Sequence, residues 1–97
     1  MKAYKHLIKH AIAAGHTVSV WDGEEWQVKR STAYKAIVEA VEAVDEATLR
    51  ILSRDGGVIG TALVSAYGLD DSETVMNYGV NPFMEAWNDA YDATLAH

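Results

Sequence analysis

Cysteine is absent from this chain, and proline and phenylalanine each occur only once. The lack of cysteine excludes disulfide bonds and thiolate metal ligands, and it is typical of proteins that work in a reducing cytoplasm. No apolar run approaches the roughly 20 residues of a membrane-spanning helix, and the first residues lead into a helix pattern rather than a signal peptide. An apolar content of 49% over 97 residues predicts one globular domain, residues 1–97, in the cytoplasm and away from membranes.

Basic residues are scarce, and they are unevenly distributed along the chain. Up to Lys35 there are six Lys or Arg and three acidic residues, whereas from Ala36 onward there are two Arg and eleven acidic residues. The formal net charge of -6 opposes non-specific binding of nucleic acid by the molecule as a whole. It leaves room for a local basic patch built from the first part of the chain.

Three segments have the apolar spacing of amphipathic helices. Gly15 ends the first, because glycine suits the left-handed conformation that follows many helices. Ser31 or Thr32 is expected to cap the second helix. Asn81 and Pro82 begin the third as N-cap and first helical residue. The predicted helices cover residues 2–14, 33–44 and 82–95.

Two Asp-Gly pairs, Asp22-Gly23 and Asp55-Gly56, mark tight turns between runs of β-prone residues. Residues 16–30 and 47–67 therefore predict two β-hairpins. Alternation of apolar and polar residues along the first hairpin predicts that Trp26 faces the core.

The predicted fold is α+β, with the order α-β-β-α-β-β-α and a four-stranded antiparallel sheet packed against three helices. Thr74–Val80 is a candidate for a short extra strand outside this arrangement. The two Asp-Gly pairs lie 33 residues apart, so a duplicated α-β-β unit is a further hypothesis. That hypothesis requires the two hairpins to pair with each other.

No catalytic motif is present, which favours a non-enzymatic protein without a cofactor or a metal. The glycine-rich segment 56–60 lacks the Lys-Ser or Lys-Thr ending of a phosphate-binding loop. His6 and His10 have a metal-compatible spacing, but no third ligand lies near them in sequence. The acidic segment 70–73 does not match the spacing of a calcium loop. A small-ligand binder or an enzyme is the third alternative, with no residues assigned to it.

Acidic residues on the outer faces of the second and third helices form the first candidate binding surface. Like charges on successive turns cost a few tenths of a kcal/mol per pair, so the surface serves either solubility or contact with a basic partner. Complementary charge would raise the association rate and the specificity for a protein with a basic groove. The residues of this set are Glu39, Glu42, Glu46, Glu85, Asp89 and Asp92.

The outward face of the sheet is the second candidate surface, and it predicts a module for single-stranded nucleic acid instead. Aromatic and basic side chains on an open sheet face stack bases and bind phosphates in several folds. The competing interpretations are burial of this face under the last helix and a Trp21 half-buried at the edge, and an exposed apolar patch would indicate a homodimer. The residues of this set are Trp21, Lys29, Arg50 and Arg54.

The segments Thr17–Ser31 and Asn81–Ala93 resemble parts of small accessory proteins of tailed bacteriophages. The likeness extends over most of the chain, and it brings no catalytic residues with it. It implies a life in the cytoplasm of an infected bacterium, where such proteins often bind a host enzyme or a defence component. The predicted function is therefore binding of a host macromolecule, first of all a protein, through the acidic helices, with inhibition of a host or defence enzyme as one outcome.

Overall fold

The computed structural model describes residues 1–68 and 70–95 of the chain. This part contains three α-helices, five β-strands and a short 3₁₀ helix before the last strand. The elements in chain order are α1 (Ala3–Ala13), β1 (Thr17–Trp21), β2 (Trp26–Ser31), α2 (Tyr34–Glu42), β3 (Ala47–Leu52), β4 (Val58–Val64), the 3₁₀ helix (Asp71–Thr74), β5 (Val75–Tyr78) and α3 (Pro82–Leu95).

All five strands form one antiparallel sheet in the order β2-β1-β3-β4-β5. The prediction of four strands was wrong, because the chain after β4 returns as a fifth strand and the order becomes α-β-β-α-β-β-β-α. Two backbone hydrogen bonds frame this return: Ser65 N–H donates to the Thr74 carbonyl at 2.8 Å, and Gly79 N–H donates to the Thr61 carbonyl at 3.1 Å. The fifth strand satisfies backbone groups that the outer edge of β4 would otherwise leave unpaired.

The two hairpins pair with each other through β1 and β3, and Val18 lies opposite Ile51 in that register. The pairing that a repeat requires is therefore present, while β5 and α3 lie outside the two α-β-β units. Both predicted turns are present as well, since Gly23 and Gly56 have φ angles of 104° and 88°. Glycine adopts these angles without the steric cost that a Cβ would bring.

All three helices pack on one face of the sheet, with α1 between α2 and α3. The period of two along each strand sends alternate side chains into this layer, where Val18, Val20, Leu49 and Ile51 are fully buried. Burying one such side chain contributes about 1.5–3 kcal/mol. The helices add the other large core residues: Tyr4, Leu7, Ile8, Ile37, Val41, Met84, Trp87 and Tyr91.

Hydrogen bonds from aromatic side chains fix α3 against α1. Trp87 Nε1–H donates to His6 Nδ1 at 3.1 Å, and the Tyr91 hydroxyl donates to the Met1 carbonyl at 2.9 Å. Burial of the imidazole, then the nearby His10 and the N-terminal ammonium, lower the pKa of His6. The neutral imidazole that accepts the hydrogen bond of Trp87 is therefore the favoured form in the folded protein.

The helix ends agree with the sequence signals at two of three positions. Gly15, with a φ of 86°, follows α1 as predicted. Asn81 Oδ1 accepts the N–H of Met84 at 3.0 Å, which is the predicted cap of α3. The N-cap position of α2 is instead Ala33, without a side-chain cap. Ser31 Oγ accepts the Ala33 N–H at 3.0 Å, just before the helix begins.

Candidate binding face of the sheet

The face of the sheet opposite the helices is uncovered in the part of the chain that the structure describes. Helix α3 lies on the helical side, where a Cβ at Gly60 would stand 2.8 Å from the Met84 sulfur. The last helix therefore does not cover the opposite side. The competing interpretation, in which the last helix buries this face, was wrong. This uncovered side, called the open face below, carries the outward residues of the central strands: Ser19, Trp21, Thr48, Arg50, Thr61 and Leu63.

Two half-buried tryptophans and an arginine lie together on the open face. Trp21 and Trp26 are opposite each other in the β1–β2 pair, with ring centroids 5.1 Å apart and an interplanar angle of 65°. The Arg50 guanidinium carbon lies 4.8 Å from the centroid of the Trp26 ring, within the range of a cation–π contact. The arginine is exposed, so its outer side faces solvent.

The inward orientation predicted for Trp26 was wrong. A register shift separates the pair Val20–Val28 from the pair Trp21–Trp26, and it turns Trp26 to the same side as Trp21. Such a bulge places two residues of one strand opposite one residue of its partner, so strict alternation fails at this point. The sequence contains no proline or glycine in β2 that would have indicated the irregularity.

A second irregularity in β2 brings Arg30 to the open face. Its φ of 46° is left-handed, a conformation that costs non-glycine residues free energy. Its N–H donates to Ser19 Oγ at 2.9 Å, which stabilises the distorted backbone and satisfies a serine that is only 6% exposed. The guanidinium extends toward the β3–β4 turn, where a Cβ at Gly56 would lie 3.7 Å from Nη1 of Arg30.

These side chains enclose a depression of about 240 Å³ with three cations and no carboxylate in its lining. Three of the four residues predicted for the nucleic-acid surface, Trp21, Lys29 and Arg50, lie in or beside it. The structure separates the fourth, Arg54, whose guanidinium lies close to Gly15 at the end of α1. The lining residues of the depression are Ser19, Trp26, Lys29, Arg30, Arg50 and Leu52.

The predicted acidic surface is divided into two strips. Glu39, Glu42 and Glu46 belong to or follow α2, Glu85, Asp89 and Asp92 belong to α3, and all six are exposed. Because α1 lies between these helices, Lys5 and Lys9 separate the strips.

Part of the α2 strip is engaged within the molecule. The Tyr4 hydroxyl donates to Glu42 Oε2 at 3.3 Å, and burial together with this carboxylate raises the pKa of Tyr4. Lys9 Nζ lies 5.1 Å from the centre of the Tyr34 ring. The α3 strip has no basic residue within Pro82–Leu95 and is the more uniformly negative of the two.

The described residues were compared with the requirements of a metal site and of a membrane-spanning helix. No group of three or more His, Asp or Glu side chains there has an arrangement that could hold a metal ion. The rings of His6 and His10 stack at 6.4 Å, and the Nδ1 of His6 already accepts the bond from Trp87. None of the described helices combines the length and the apolar character needed to cross a membrane.

No protein-family model, no curated protein and no solved structure matches this chain. The resemblance to small phage proteins therefore stays a prediction.

Proposed function

We propose that this protein is a non-enzymatic binding protein whose open face binds single-stranded nucleic acid. The observation that supports this most is the exposed Arg50 guanidinium, whose carbon lies 4.8 Å from the centroid of the Trp26 ring on a sheet face that no described helix covers. Lys29 and Arg30 lie beside it in the same depression. Proteins that bind single-stranded nucleic acid without sequence preference combine planar side chains that stack on bases with cations that contact the phosphates.

Each part of this site has a separate task. The ammonium of Lys29 and the guanidinium of Arg30 contact phosphates, because both are exposed on the edge strand β2. The guanidinium of Arg50 offers its outer side as a platform for a base, while Trp26 holds it in place from below. Base stacking of this kind contributes about 1–3 kcal/mol per base.

The acidic charge of the whole molecule makes such binding local and salt-dependent. Two phosphate contacts, from Lys29 and Arg30, predict that log K falls with log salt with a slope of about -1.4, since each contact on a single strand contributes about -0.7. This negative slope favours measurement at low salt, whereas the net charge of -6 adds a long-range repulsion that salt screens, which makes the slope shallower.

The test is fluorescence anisotropy with labelled oligonucleotides at low salt. The double variant Lys29→Gln/Arg50→Gln is expected to weaken binding at least about tenfold, since it removes two phosphate or stacking contacts. The matched control is Lys5→Gln/Lys35→Gln, which changes the net charge equally on the helical side. Equal losses in both double variants, or no binding by the unaltered protein, would contradict the proposal.

A second proposal rests on the α3 strip, where Glu85, Asp89 and Asp92 are exposed without a neighbouring base on the same helix. We propose a host protein with a basic surface as its partner, in the bacterial cytoplasm that the phage resemblance implies. Reversal of the three charges to lysine should abolish capture of that protein from a bacterial lysate. Capture that survives the reversal would count against the strip as a contact surface.

A further inference from the structure

The open face has two halves with different chemistry. The β2-β1-β3 half holds the three cations described above. The β4-β5 half has a separate depression of about 220 Å³ whose lining contains no charged side chain. That volume is below the usual range for drug-sized ligands, so a single planar group suits it better. Its lining includes Thr48, Thr61, Leu63, Asn77 and Gly79.

Small and exposed side chains keep this second depression open. Leu63 is 37% exposed and provides an apolar surface. Asn77 Oδ1 accepts the N–H of Tyr78 at 2.9 Å, which fixes the amide and leaves its exposed nitrogen to donate outward. At Gly79, a Cβ would stand 3.3 Å from Thr61 Oγ1, so any larger residue would narrow the depression.

Acidic turns lie at both ends of the strands that carry the basic half. Asp22, Glu24 and Glu25 occupy the β1–β2 turn at one end, and Asp55 occupies the β3–β4 turn at the other. Hydrogen bonds from the Glu25, Glu24 and Gln27 nitrogens hold the pKa of Asp22 below its usual value. The acidic side chains of these two turns repel a polyanion that runs along the strands.

We infer that a single strand of nucleic acid crosses the sheet from β2 to β5, with phosphates on Lys29 and Arg30 and one base in the β4-β5 depression. This inference rests on the proposed function. Five strands spaced by about 4.8 Å give a path of about 19 Å. A site of about four nucleotides, at the low end for single-strand binding folds, fits that length. Leu63 packs on the base, and the amide of Asn77 donates to an acceptor on its edge.

Salt dependence separates the two halves experimentally. Leu63→Ala and Asn77→Ala are each expected to lower affinity about fivefold while the slope of log K against log salt stays unchanged, because neither residue contacts a phosphate. Lys29→Gln is expected to make the slope shallower by nearly one phosphate contact. Met76→Ala is the control, since this residue is 44% exposed on β5 outside the depression.

The ligands are tetranucleotides with all bases present or with one abasic position, made as DNA and as RNA. One abasic position should cost as much as Leu63→Ala, and the two losses should not add. Comparison of the two sugars shows which nucleic acid the site prefers. If Leu63→Ala, Asn77→Ala and every abasic position leave the affinity unchanged, this inference is overturned while the proposed function stands. Absence of binding to any oligonucleotide would overturn the proposed function as well, and circular dichroism checks that each variant is folded.

Discussion

Gly60 offers a direct test of where α3 lies, and the open face exists only if α3 stays on the helical side. The substitution is Gly60→Ala. The φ of Gly60 lies outside the left-handed region, so the backbone at this position is compatible with alanine. The added Cβ would stand 2.8 Å from Met84 Sδ and 3.2 Å from Phe83 Cδ2, and these side chains must move.

The magnitude follows from this close contact. Overpacking of a core by one methyl group costs about 1–3 kcal/mol. A loss of that size lowers Tm by about 4–8 °C per kcal/mol in a domain of this length. If α3 were absent from this place, the substitution would be neutral or would stabilise the protein by about 0.4–1 kcal/mol, since alanine reduces the entropy of the unfolded chain.

Urea unfolding followed by circular dichroism measures the effect, and a double-mutant cycle with Met84→Ala assigns it. Met84→Ala alone should cost about 2–5 kcal/mol. The double variant should lose less than the sum of the two single losses by about 1 kcal/mol or more, because the shortened side chain makes room for the new methyl group. A stabilised Gly60→Ala variant, or strictly additive losses, would refute the packing of α3 on β4.

Stability is also expected to depend on pH, on a helix cap and on a strained residue. His6 has a lowered pKa in the folded state, so the unfolded chain binds the proton more tightly. Stability therefore falls as the pH drops from about 6.5 through the folded pKa. Urea unfolding at several pH values should show this fall, and His6→Gln should weaken the pH dependence. Asn81→Ala should cost about 1 kcal/mol by the same assay, since it removes the acceptor for the Met84 N–H. Arg30→Gly should raise stability by about 1 kcal/mol and weaken oligonucleotide binding, because the left-handed strain disappears together with a cation; a destabilised variant would contradict the assigned strain.

Local signals in the sequence predicted most of the helices and turns. The Asp-Gly pairs, Gly15 and Asn81 act on backbone geometry within a few residues, so their effect could be derived without the rest of the molecule. The start of α2 was predicted too early. The Ser31 hydroxyl accepts the N–H of Ala33, at the position before the first helical residue, and does not cap the helix. The candidate strand at Thr74–Val80 is confirmed as β5 (Val75–Tyr78), but it was left out of the predicted sheet because its place there depends on pairing with a distant edge of β4.

The grouping of side chains on the open face was predicted only in part, for the same physical reason. Trp21, Lys29 and Arg50 could be grouped because regular alternation places them on one side of a sheet. Trp26 and Arg30 were missed, since two irregularities in β2 reverse the alternation, and neither has a glycine or proline to mark it. Arg54 was included wrongly in the cluster because the strand was expected to continue to it, whereas β3 ends at Leu52.

The indole N–H signals of the three tryptophans give the most direct measurement of the central claim. Trp21 and Trp26 lie on the open face, whereas the indole of Trp87 is buried between α3 and α1 and hydrogen-bonded to His6. The three signals can be assigned with single Trp→Phe variants in ¹H–¹⁵N spectra. Titration with a short single-stranded oligonucleotide should shift the signals of Trp21 and Trp26 and leave that of Trp87 in place. A shift of Trp87 alone, or no shift of any indole signal at saturating oligonucleotide, would contradict binding on the open face.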